Sequence, residues 1–153
     1  MYSPAYVWAK ILMYMEERLT AVTVSAWLDD AEVVELTEEE KTLLLKLGMA
    51  ERGSTGCTEC IALVMRSVLN RVEAGHFRSI RNTIYAQDQY LPVSDGSFDT
   101  AEPNECCYKA LDMVLYGWDE SQGAMFYEWC EGESWHSKNL HLLLQHCDTR
   151  FYN

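Results

Sequence analysis

The stretch LLLKLGMAERGSTG, residues 43–56, places a carboxylate at the end of an apolar helical pattern. Leu44, Leu47 and Glu51 follow one another at i, i+3 and i+7, so in a helix that runs to its last residue Glu51 lies on the stripe the leucines bury. A partly desolvated carboxyl favours its neutral form, its pKa rises, and it becomes fit to act as a general acid near neutrality. Arg52, Gly53 and Gly56 then end the helix and leave a flexible rim. On spacing alone the other reading stays open, in which Glu51 frays into water at a helix terminus. Asp88, Asp95 and Glu128 could serve as a second carboxylate, and each also reads as a solvated loop or strand-edge charge. Cys57 and Cys60 have the local spacing of a zinc half-site, but the second half of the pattern is missing, and helical packing accounts for Cys60 more simply. A cysteine paired with His136, His141 or His146 is the corresponding amidase reading. No metal site and no cofactor are expected.

The elements that must position Glu51 are legible around it. Thr37 and Glu40 have capping-box spacing at the start of its helix. CTECIALVMRSVLNRVEAG reads as the central helix, with Cys60 or Ile61, Val64, Val68 and Val72 inward and Gly75 as the stop. FRSIRNTIYAQDQYLPVSDGSF reads as a short helix running into a polar and aromatic loop. PNECCYKALDMVLYG is a further helix, with Pro103 at its start, Cys107, Ala110, Leu111 and Val114 inward, and Gly117 as its cap. GAMFYEWC is expected to be a strand, SKNLHLLLQHC a short helix from near Ser137, and TRFYN a terminal strand able to pair with GAMFYEW. Upstream, SPAYVWAKILMYMEERLT and AVTVSAWLDDA predict two amphipathic helices, and EVVEL a brief extended piece. The fold class is α+β, mainly helical with a small antiparallel sheet.

With 153 residues and 48% hydrophobic content, the chain suits one compact domain with a small appendage. Lys and Arg number 12 against 24 Asp and Glu, a net charge of -12 that repels phosphate backbones and anionic headgroups. Neither nucleic acid nor a membrane is expected as a partner. MYSPAYVWAK shows no basic leader, and no apolar run approaches the roughly 20 residues that cross a bilayer. The expectation is synthesis in the cytoplasm without a signal peptide, and mostly reduced thiols for the six cysteines.

In order along the chain, LLLKLGMAERGSTG, SVLNRV, IYAQDQYLPV, YGWDESQGAMFY and the aromatic pair of HCDTRFYN resemble the SleB-type cell wall hydrolases, spore-cortex-lytic and phage-associated cleavers of peptidoglycan. The resemblance covers about residues 37–153. It implies a lysozyme-like, lytic-transglycosylase-like fold that cuts between N-acetylmuramic acid and N-acetylglucosamine, with Glu51 of the AE step as the catalytic acid. Gln89 and Tyr90 match the family's QF step, and Gly123, Ala124, Phe126 and Tyr127 its GALFF-like strand, as substrate-binding positions on peptidoglycan glycan strands. Asn70 and Arg71 match its LNRV step, where a structural role is preferred. Trp135 and Tyr152 are expected in the core rather than the groove. Where family members carry a glycine-histidine element before the closing aromatics, this chain reads HCDTRFY, with His146 as the available substitute.

The implied chemistry works with one essential acid. A hydrolase needs a second carboxylate about 5 Å away or further. In a lytic transglycosylase the sugar's own hydroxyl attacks, and Glu51 serves first as acid and then as base. The residues leave that choice open. Reaching the wall then requires a holin, lysis or another export route. A second resemblance, of residues 5–36 to the first part of domain I of the replication initiator DnaA, divides the chain into 1–36 and 37–153. It supports an alternative, a non-catalytic protein-interaction module of a phage or mobile element, with Trp8 or Trp27 at the partner surface, although burial of these residues against the main domain is preferred.

Overall fold

The hydroxyl of Thr37 accepts a hydrogen bond from the Glu40 amide at 3.2 Å, and the Glu40 carboxylate accepts one from the Thr37 amide at 2.9 Å. This reciprocal cap satisfies two of the orphan donors of helix α1, Glu38–Arg52, and three glutamates in its first turn complement the helix dipole. The computed structural model describes residues 34–129 and 131–153; the two helices expected upstream, and all but residues 34–36 of the domain I-like segment 5–36, lie outside the described residues.

α1 buries Leu43, Leu44, Leu45 and Leu47 against α2, Thr58–Glu73. Gly48 sets the distance between them, since a Cβ there would stand 2.8 Å from Ile61 and 2.9 Å from Met65. α2 is the central helix. Twelve of its residues, Cys60 to Arg71, are buried without interruption, a pattern that only an element surrounded on all sides produces. A short 3-10 turn, Gly53–Thr55, links the two helices.

Two short helices follow, α3 at Ile80–Ile84 and α4 at Leu91–Asp95. The sequence predicts one helix running into a loop; Pro92 in the first turn lets part of that loop coil again. α5, Glu105–Leu115, buries Cys107, Ala110, Leu111 and Val114 as the spacing predicts. Its N-cap is Asn104, the residue after Pro103. The Asn104 side chain accepts from the Cys107 amide and donates to the Gly53 carbonyl at 2.9 Å, tying α5 to the turn after α1.

Among the described residues the sheet has three antiparallel strands, β1 at Phe126–Glu128, β2 at Leu142–His146 and β3 at Thr149–Tyr152, in the order β1-β3-β2. β3 pairs with β1 as expected, with Phe126 opposite Tyr152 and Glu128 opposite Arg150. β2 corrects the reading of SKNLHLLLQHC as helix throughout. Ser134 caps a five-residue helix, α6 at Trp135–Asn139, and the apolar run after it pairs with β3 through a bulge between Leu142 and Leu144. Among the described residues, no helix is long and apolar enough to cross a membrane.

Candidate active site

α1 persists to Arg52, so Glu51 stays on the face that Leu44 and Leu47 bury. It opens into a cleft of roughly 550 Å³ between the end of α1, the 88–91 loop, β1 and α6. Burial pushes its carboxyl up from an ordinary 4.5 to about 7, against the lowering effects of the Tyr127 hydroxyl and the Arg52 charge. That hydroxyl is itself buried and faces Glu51 without closing to full hydrogen-bond geometry. Arg52 turns away from the cleft and pairs with Asp148 on the β2–β3 turn.

The cleft wall is aromatic. Tyr90, Phe126 and Tyr127 line it together with Trp129 and Trp135, and the two tryptophans are exposed, Trp135 by 66%. Trp135 is thus at the cleft and not in the core, the place the sequence reading favoured, because the Ser134 cap starts α6 at the sheet edge. Arg71 holds the wall in shape. Its guanidinium lies 4.8 Å from the Phe126 ring centre and 5.3 Å from that of Tyr90, and it donates to the Met125 carbonyl and, at 3.0 Å, to Gln89 Oε1. Burial raises the Tyr90 phenol to about 12, so it remains a neutral hydroxyl.

A second carboxylate lines the same cleft in a different setting. Glu128 Oε1 accepts from Tyr152 at 2.6 Å and from Ser134 at 2.7 Å, and its Oε2 lies 3.2 Å from His136 Nδ1. Desolvation alone would raise its carboxyl, but the hydrogen bonds from Tyr152 and Ser134 and the charges of His136 and Arg150 hold it below the usual range. The sequence names Glu128 as a candidate second carboxylate but reads it equally as a solvated strand-edge charge; its side chain is instead only 12% exposed and fully engaged. One signal was present: Phe126 and Glu128 are two apart on a strand and so share a face.

Of the substrate-binding positions named from the sequence, Gln89, Tyr90, Phe126 and Tyr127 come together around Glu51. Gly123 and Ala124 stand apart from that lining. Gly123 makes a turn at φ 79°, and Ala124 is fully buried, with its carbonyl accepting from Asn70 at 2.8 Å. Asn70 is structural, as expected, since the same amide also donates to Ser121. Arg71 is both structural and at the cleft. Tyr152 is in the core with its hydroxyl turned to Glu128. His146 is outside the cleft lining, beside Cys57, and the histidine at the cleft is His136. Asp88 is on the cleft rim, and Asp95 is solvated with its carboxylate held by Ser97.

A family model described as Cell Wall Hydrolase matches residues 58–152, beginning just past the helix that carries Glu51. Two solved structures share the fold. The catalytic domain of the Bacillus cereus SleB protein is 19% identical with a TM-score of 0.63, covering 79% of this chain and 95% of that one. The catalytic domain of the germination-specific lytic transglycosylase SleB from Bacillus anthracis is 20% identical with a TM-score of 0.63, covering 77% of this chain and 97% of that one. No curated protein matches the chain.

Proposed function

The chain belongs to the cell wall hydrolase family, and from that premise we propose that it cleaves peptidoglycan glycan strands between N-acetylmuramic acid and N-acetylglucosamine, with Glu51 as general acid and base in a lytic transglycosylase reaction. The observation that carries this reading is the carboxyl of Glu51, held by burial at about 7 in an aromatic cleft. At neutral pH such a group is protonated for an appreciable fraction of the time and can hand its proton to the glycosidic oxygen. As that bond breaks, the sugar carbon develops oxocarbenium character. The hydroxyl of the same sugar then attacks, and its proton returns to Glu51, leaving an anhydro end and the enzyme unchanged.

A single acid suffices for this sequence of steps. Glu128, a further acid of the cleft beside Asp88 on its rim, is engaged by Tyr152, Ser134 and His136, which favours a rim-shaping role over attack on the sugar. Trp129 and Trp135 offer apolar faces to sugar rings, Gln89 an amide edge to an acetamido group, and the buried Tyr90 hydroxyl, which has no hydrogen-bond partner among the described residues, a further contact. The enzyme would act at the wall after release by a holin, lysis or another export route. Mass analysis of muropeptides after digestion of purified peptidoglycan tests the proposal. Anhydro ends are expected; reducing ends would turn it into a hydrolase, and intact glycan would overturn it.

A further inference from the structure

Outside the cleft lining, the start of α2 and the β2–β3 turn bring together side chains that the proposed chemistry does not use. Cys57 caps α2 and Cys60 lies one turn on, while His146 ends β2 and Cys147 follows it in the turn. One donor atom from each of the four lies within 4.8 Å of every other. Cys57 Sγ is 3.4 Å from His146 Nε2, and the Cys60 amide donates to Cys57 Sγ at 3.4 Å. Cys147 holds a left-handed φ of 52°, a conformation non-glycine residues adopt uncommonly, and the turn built this way brings its sulfur to the other three donors.

Three sulfurs and one imidazole are the donor set of a structural zinc site. With bonds of about 2.3 Å to sulfur and about 2.0 Å to nitrogen, tetrahedral donors stand about 3.5 to 3.8 Å apart. With every pair within 4.8 Å, the set needs a contraction of at most about one ångström to close. Soft thiolate donors favour zinc over hard cations such as magnesium or calcium. The second half of the pattern that Cys57 and Cys60 lack in the sequence is therefore His146 and Cys147, supplied by a hairpin far along the chain. Glu59, whose carboxylate lies 3.7 Å from His146 Nε2, adds negative charge beside the set.

We propose that Cys57, Cys60, His146 and Cys147 bind one zinc ion as a closed four-donor structural site. Each thiol releases its proton to solvent as its sulfur binds, and nothing is oxidised or reduced. The ion joins the start of α2 to the β2–β3 turn, where Arg52, next to the catalytic glutamate, already pairs with Asp148. Zinc thus fixes the end of α1 against the sheet that walls the cleft, without entering the cleft.

The test is metal analysis of the full chain purified under reducing conditions, with and without added zinc. About one zinc per chain is expected, and cobalt in its place should show the intense near-ultraviolet absorption of thiolate ligation. Cys57→Ser and Cys147→Ser should each weaken binding at least about tenfold, whereas Cys106→Ser, outside the set, should retain the metal. If the site variants do not fold, the wild-type chain supplies the reading: a strong zinc chelator should lower its melting temperature and zinc should restore it. A folded, reduced chain that takes up no zinc overturns the proposal. So does zinc retained by Cys57→Ser or Cys147→Ser, an unchanged melting temperature under the chelator, or a Cys57–Cys147 disulfide in chains whose thiols were trapped at harvest. Glu51→Gln should keep its zinc, so the metal and the glycan chemistry fail independently.

Discussion

The floor and the rim of the cleft hold the same functional group in opposite surroundings. At the floor, Glu51 is surrounded by Tyr127 and Tyr90 rings and by the α1 helix end, and desolvation dominates. At the rim, Glu128 meets two hydroxyls, an imidazole and a guanidinium, and hydrogen bonds and charge dominate. Burial favours the protonated form of the first carboxyl, and donors and charge favour the ionised form of the second. Identity of side chain therefore says little about role in this cleft; the balance between burial and donors decides it.

The difference can be broken at its strongest point first. Glu51→Gln should lower release of soluble glycan fragments by about a thousandfold or more, the order expected when the only proton donor is removed, while circular dichroism stays native. The same variant tests the burial. Because the folded pKa of about 7 exceeds the ordinary 4.5, the folded state keeps a proton that the unfolded chain loses between those values. This carboxyl's contribution to stability therefore falls as pH rises across that window, and melting temperatures measured from pH 4 to 8, values chosen to span that window, should fall less in Glu51→Gln than in wild type. Activity that depends on the protonated acid should likewise decline as pH rises through about 7.

Glu128→Gln sharpens the contrast. It should cost about tenfold in rate by loosening His136 and Arg150, with anhydro ends still formed. A loss as large as that of Glu51→Gln, assayed side by side, would make Glu128 a reacting group and the enzyme a two-carboxylate hydrolase.

Asn70→Ala acts on the wall between floor and rim. It leaves Ser121 and the Ala124 carbonyl without their donor in a buried setting, and should lower stability to denaturant by about 2 kcal/mol. Tyr127→Phe has the smallest expected effect. Its hydroxyl lowers the Glu51 pKa, so its removal should move the alkaline limb of the pH profile upward by less than about one unit.

What could be read in advance was local. The Thr37–Glu40 cap, the leucine stripe and the continuous apolar run of α2 depend on neighbours within a turn or two, and each led to the right element. The stripe left Glu51 open between an inward face and a frayed helix end, and the family resemblance chose the inward reading, the face that Leu44 and Leu47 bury. β2 did not, because LHLLLQH is a short apolar run that periodicity alone cannot assign to strand or helix, and it becomes a strand only by pairing with β3. The setting of Glu128 was hidden for a related reason. Its partners Ser134, His136, Arg150 and Tyr152 come from a capped turn, a short helix and another strand, and only tertiary pairing joins them. Trp135 was misplaced since aromatic character suggests burial unless the sheet edge that exposes it is known.

The order of the sheet has a consequence for biogenesis. The strand that bridges the other two is the last of the three in the chain, so as synthesis proceeds from the N-terminal side Glu51 leaves the ribosome well before the segment that completes its cleft wall. Among the described residues, β1 has no ladder partner until residues 149–152 emerge. A nascent chain stalled short of them therefore carries its acid on a packed helical pair but has no groove to grip a sugar, and lytic capacity arrives only with the last strand.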